Sequence, residues 1–157
     1  MSELEFGKSI DEIEAPELLP EGWYEMEVTQ EPEVLPNEAF KNNPADEKAG
    51  HNWVVRMKTV ADEPIYDGRR FTIWLGVPKK EDENKYTSQG QKIYDAKMQR
   101  IVGFVEAFGG LTSGKSVSLR MGSHGQCYVL QQINKQSNVV ENTIDIFNQG
   151  FKKSVTA

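Results

Sequence analysis

Residues 51–77, HNWVVRMKTVADEPIYDGRRFTIWLGV, hold two runs that alternate with the two-residue period of a β-strand. In the first, Trp53, Val55 and Met57 alternate with Val54, Arg56 and Lys58. In the second, Phe71, Ile73 and Leu75 alternate with Arg70, Thr72 and Trp74. The connection, residues 61–68, carries Pro64 and the Asp67-Gly68 pair, which are turn signals. The stretch therefore predicts a hairpin. Its core face is Trp53, Val55, Met57, Phe71, Ile73 and Leu75. Its outer face presents Arg56, Lys58, Arg70, Thr72 and Trp74. Cations and an indole on one sheet face suit a polyanion with flat bases. The plainer alternative is a solvated face whose long stems cover apolar surface.

The rest of the chain extends this pattern. Gly22 to Gln30 reads as an earlier strand, with Tyr24, Met26 and Val28 on one side and Trp23, Glu25 and Glu27 on the other. These two glutamates can pair with Arg56 and Lys58 if the strands are neighbours. Gln91 to Phe108 repeats Tyr94, Met98, Ile101, Val102, Val105 and Phe108 at helical spacing and stops at Gly109-Gly110. Two strands are expected after it, Ser116 to Met121 and Gln126 to Lys135, joined by a turn at residues 122–125. In the latter strand Cys127, Val129 and Ile133 share one face, and Tyr128, Leu130 and Gln132 the other. Thr143 to Phe147 reads as a short edge strand. Three strands, a helix and two strands predict a mainly β chain, an OB-fold-like five-stranded Greek-key barrel with its helix between strands three and four. Such barrels bind across strands two and three. The flanking loops would be residues 31–50, where Phe40 and Lys41 join the candidate binding residues, and the Ser123-His124 turn.

Charge divides the chain. Residues 1–48 hold 14 Asp and Glu against 3 Lys, while residues 49–157 hold 15 Lys and Arg against 10 Asp and Glu. The expected organisation is an acidic arm over residues 1–20, an OB-fold-like domain over 21–148 and a basic tail over 149–157. Ser9-Ile10-Asp11-Glu12 resembles a helix start, so a short helix over Ile10 to Ala15 is expected in the arm. No apolar run is long enough to span a bilayer, no signal peptide is expected, and the single Cys127 suits a reducing cytoplasm.

Catalytic motifs are weak. Residues 109–116, GGLTSGKS, fit the G-x-x-x-x-G-K-[ST] phosphate loop. That loop needs a strand before it and a helix after it, and here the order is inverted. His51, His124 and Cys127 lack metal-ligand spacing. The expectation is a non-enzyme without cofactor or metal.

The segments Leu19-Pro20-Glu21-Gly22-Trp23-Tyr24-Glu25-Met26-Glu27-Val28, Tyr66-Asp67-Gly68-Arg69-Arg70-Phe71 and Val105-Glu106-Ala107-Phe108-Gly109 resemble, in that order, a family of small bacteriophage proteins. Its members look like OB-fold single-stranded-DNA-binding proteins of phage replication and recombination. The resemblance spans about residues 19–147. It implies a non-catalytic single-stranded-DNA binder, with phage or host replication and recombination proteins as partners. Homo-oligomerisation is left open. Bases would stack on Trp74, with Arg56, Lys58, Arg69 and Arg70 along the backbone. The competing reading is an acidic phage protein that binds a host or phage protein, as a nucleic-acid mimic.

Overall fold

The computed structural model describes residues 2–36 and 50–155. In chain order the strands are β1 (Gly22–Val28), β2 (Glu33–Pro36), β3 (His51–Thr59) and β4 (Arg70–Gly76). Helix α1 (Ile93–Ala107) follows, then β5 (Leu111–Ser113), β6 (Ser116–Ser118), β7 (His124–Asn134), β8 (Val139–Ile144) and β9 (Phe151–Lys153). The fold is mainly β, with one α-helix among the described residues.

The alternation over 51–77 folds as the expected hairpin. β3 and β4 pair antiparallel with Val55 opposite Ile73 and Met57 opposite Phe71. The other edge of β3 is shared: β2 pairs its beginning, and β1 pairs its end. β1 then pairs β7 antiparallel along its length. β7 carries β9 beside its first half and β8 beside its second. The result is a seven-stranded antiparallel sheet, not closed by hydrogen bonds into a barrel. β4 and β8 run in the same direction at its two ends and face each other across an open groove.

Two expectations for the chain after the helix need correction. Ser116 to Met121 is not a member of the main sheet. Ser116–Ser118 pairs with Leu111–Ser113 as a separate two-stranded hairpin, and Met121 is exposed. The reason lies in the glycines around it. Gly114 (φ 58°) makes the hairpin turn, and Gly122 (φ 89°) turns the chain back so that its N–H donates to the Val28 carbonyl at 2.7 Å. The strand expected over Gln126 to Lys135 thus begins at His124, and the strand that follows it in the chain and pairs with it is β8. The chain does turn just before His124, where the Ser123 N–H donates to the Arg120 carbonyl at 3.2 Å, but the turn that joins β7 to β8 is residues 135–138, where Asn138 adopts φ 57°. The phosphate-loop match is accounted for by the same hairpin: a strand, not a helix, follows Lys115.

The core lies between α1 and the concave side of the sheet. Phe104, fully buried, is its centre. Its ring lies 4.4 Å from Phe108, 4.8 Å from Phe151 and 6.3 Å from Trp53 between centroids. The helical stripe is therefore broader than the periodicity predicts. Ile101, Phe104, Val105 and Phe108 enter the sheet, while Tyr94, Met98 and Val102 line a cleft against the β5–β6 hairpin. Gly125 is dictated by this packing, since a Cβ there would stand 2.5 Å from the Phe108 ring. Cys127 is fully buried as expected, and burial pushes its thiol pKa up. Ile133, on the same face of β7, is 58% exposed, because β7 and β8 extend past the end of the core.

Both chain ends are partly built into the sheet. Leu19, within the arm predicted over 1–20, is buried. Its N–H donates to Asn142 Oδ1 (2.8 Å), and its carbonyl accepts from Asn142 Nδ2 and Gln131 Nε2 (both 3.0 Å). Residues 2–18 are exposed, and their helical content is a single 3-10 turn at Ile10–Glu12, stopped by the extended backbone at Ile13. The segment set apart as a basic tail contributes β9 and the core ring of Phe151.

One buried ion pair joins the connector before α1 to the helix. Asp82, 2% exposed, accepts from the Lys79 N–H (3.0 Å) and from Lys97 Nζ (2.9 Å). Burial pushes its carboxyl pKa up, but the Lys79 amide and the Lys97 ammonium together outweigh this and hold it below the ordinary value. Asp82→Ala should cost roughly 1–3 kcal/mol at neutral pH, because an amide and an ammonium lose their acceptor. A depressed pKa gives stability that is complete above the unfolded value and is lost as pH falls through the folded one. Urea titrations of wild type and variant should accordingly converge on acidification, whereas a gap independent of pH would exclude this role.

Candidate nucleic-acid interface

The outer face of β3–β4 holds the residues expected there. Because the strands are in register, Lys58 lies opposite Arg70, Arg56 opposite Thr72 and Val54 opposite Trp74. Trp74 is 57% exposed. Val54, by contrast, is buried on this outer face, with Trp74 and Glu33 at the register positions on either side. The indole thus covers an apolar residue with one part and meets solvent with the other.

The cationic reading of β3 needs revision. Arg56 Nη1 lies 2.6 Å from Glu33 Oε1, and Lys58 Nζ lies 4.0 Å from Glu27 Oε2. The same Glu27 oxygen is 4.0 Å from His124 Nε2. The cause is topological. β1 and β2 both flank β3 on the edge away from β4, and each brings a glutamate alongside. The partner expected for Lys58 is found; that of Arg56 comes from β2 instead of β1. Such exposed pairs are weak, about 0–1 kcal/mol, so a polyanion can compete for the cations.

The remaining candidates gather at the seam. Arg69, Arg70, Thr72 and Trp74 line a groove of ≈ 440 Å³ with Gln132, Glu141, Asn142 and Thr143 from β7 and β8. Arg69 is half-buried, and its Nε donates to the Ile65 carbonyl at 2.9 Å, which fixes the guanidinium at the groove mouth. Arg70 is exposed and has no ion-pair partner among the described residues. Leu19 lines the same groove, so the acidic residues 2–18 leave the body beside the two arginines. Phe40 and Lys41 lie outside the described residues.

Sequence reasoning missed the other end of the seam. A further cavity of ≈ 330 Å³ continues from Thr72 and Trp74 past Leu130 and Thr143 to residues 145–148. Phe147, 70% exposed, stands there, with the Arg100 guanidinium 4.7 Å from its ring centroid. The one local signal is Asp145 two residues before it, a turn-forming side chain at a strand end. The approach of Arg100 from α1 has no sequence signature.

Elsewhere on the outer face the aromatics are engaged. Trp23 meets Tyr128 edge-on at 5.4 Å, and Lys152 Nζ lies 4.3 Å over the Trp23 ring. Among the described residues no cluster of His, Cys, Asp and Glu is arranged to hold a metal ion, and no helix is long and apolar enough to cross a membrane. Comparison with known proteins gives no match, either to a protein-family model or to a curated sequence.

Proposed function

We propose that this protein is a non-catalytic binder of single-stranded DNA, and that the seam between β4 and β8 is its binding groove. The observation that carries this reading is Trp74, exposed on the wall of an open groove whose mouth is set with Arg69 and Arg70. An indole face accepts any base, and guanidinium groups track phosphates. A groove that reads π-faces and charge binds with little sequence preference.

The strand arrangement supports an OB-type barrel. β1, β3 and β4, then α1, then β7 and β8 lie in the spatial order β4-β3-β1-β7-β8, with β4 and β8 parallel across the gap. A partly open five-stranded Greek key has this connectivity, and its ligands lie across the second and third strands. Here those are β3 and β4, of which β4 forms one wall of the seam. On this reading β2, β9 and the β5–β6 hairpin are additions to the barrel. Its setting is phage-type replication or recombination in the host cytoplasm, as the resemblance of residues 19–28, 66–71 and 105–109 implies.

Electrophoretic mobility shift with a labelled oligonucleotide tests the reading. Single strands should bind more tightly than duplex, and affinity should fall steeply between low and moderate salt as counterions displaced from phosphates are released. Duplex preference, or an affinity indifferent to salt, would count against it.

A second reading rests on the arm. Leu4, Phe6, Ile10 and Ile13 are 67–78% exposed among six carboxylates in residues 1–20. Such a segment suits a basic, apolar-lined partner protein and not a nucleic acid. Absence of any oligonucleotide shift at low salt favours this alternative.

A further inference from the structure

The seam groove does not end at Trp74. Its second cavity shares Thr72, Trp74, Gln132, Thr143 and Ile144 with the first, then runs on to Phe147 and Asn148. Three features distinguish Phe147 from an incidental exposed aromatic.

First, its backbone is held. Asp145 is buried at the end of β8 and its N–H donates to the Tyr128 carbonyl at 2.9 Å. The Asp145 carboxylate in turn accepts from the N–H groups of Phe147 (3.1 Å) and Asn148 (3.0 Å). The ring is thus presented on a fixed turn and needs little ordering to bind. Second, Arg100 of α1 sits 4.7 Å from its centroid. Arg100 lines the cleft between the helix and residues 146–151 but not the seam, so the guanidinium covers the helix side of the ring. The seam side is left to solvent. Third, the ring lies on the same groove as Trp74, at the end away from Arg69 and Arg70.

We propose that Phe147, backed by Arg100, is a second base-stacking station, so that a bound single strand follows the seam from Arg69 and Arg70 past Trp74 to Phe147. This rests on the single-strand reading given above. The two rings offer π-faces to separate bases, while Arg70 and Arg100 place positive charge near both ends of the path. Glu141 at the arginine end of the groove disfavours phosphate in its immediate vicinity, which leaves the bases, not the backbone, to face β8. Phe147 acts by its ring, and Arg100 is a positioning residue that acts through it.

The test measures binding of a labelled oligothymidylate by the full chain and its variants, with thermal melts alongside. Phe147→Ala and Phe147→Leu should each weaken affinity about fivefold or more, the loss expected for one unstacked base. Leucine keeps the apolar bulk, so its failure to restore binding identifies the ring itself as the contact. Phe147→Trp should bind as wild type, and in a Trp74→Phe background the oligonucleotide should quench more fluorescence than it does in Trp74→Phe alone, where only Trp23 and Trp53 emit. Melting temperatures should stay near wild type, and the salt dependence should keep its slope, since no phosphate contact is removed. Arg100→Ala should show a smaller loss that vanishes in the Phe147→Ala background. The proposal is overturned if wild type binds single strands and Phe147→Leu binds equally well. Failure of wild type itself to bind would instead strike the function reading, and this inference with it.

Discussion

Phe104→Ala should destabilise the protein by about 3–5 kcal/mol, the range for truncating a fully buried phenylalanine. Its side chain has no exposed surface and touches the rings of Trp53, Phe108 and Phe151, which come from β3, the end of α1 and β9. No neighbour is free to fill the space. Phe108 is pinned against the Gly125 backbone, and Phe151 is held by the β9–β7 ladder. The cavity should therefore remain largely open, and its cost adds to the lost transfer free energy. For a chain of this size the midpoint of thermal unfolding should fall on the order of 10 °C. Urea titration followed by circular dichroism, with an unchanged slope, provides the check. A loss under about 1 kcal/mol would show that α1 does not fill the concave side of the sheet.

Trp74→Ala should lower single-strand affinity by roughly 1–3 kcal/mol, equivalent to about 5- to 150-fold, if a base stacks on the indole. The fold should survive, because more than half of the side chain is already in water. A small stability loss is expected from uncovering Val54. Trp74→Phe separates the two roles: it keeps an aromatic face and most of the cover over Val54. It should recover most of the binding and most of the stability. An alanine variant that binds as wild type would remove Trp74 from the site. One that unfolds, with phenylalanine failing to rescue it, would make the residue structural.

The hairpin over residues 51–77 was legible because one face of it is core. A one-residue slip would have moved every buried side chain to solvent, so alternation alone sets which residues share a face. The exposed position of Trp74 followed from that same alternation. Ser116 to Met121 is not specified in this way. An alternation over six residues is compatible with any short extended segment, and only the partner strand decides which sheet it joins. Phe104 was not legible either. It lies beside the stripe that periodicity picks out, and α1 is enclosed by the sheet on one side and the β5–β6 hairpin on another, so its apolar belt is wider than a single face.

The sequence by itself determined the mainly β class, the buried face of the hairpin, the extent of the helix to within two residues and the unsuitability of residues 109–116 as a phosphate loop. Each of these depends on local periodicity or on backbone demands of glycine, which neighbours in the chain reveal. Tertiary structure alone decided the electrostatics and extent of the candidate site. Glu33 and Glu27 neutralise Arg56 and Lys58 because two different strands share one edge of β3. Phe147 joins Trp74 because β4 and β8, some seventy residues apart in sequence, end beside each other across the seam. Pairings between distant strands are set by how the whole apolar surface is buried, and no window of neighbouring residues contains that information.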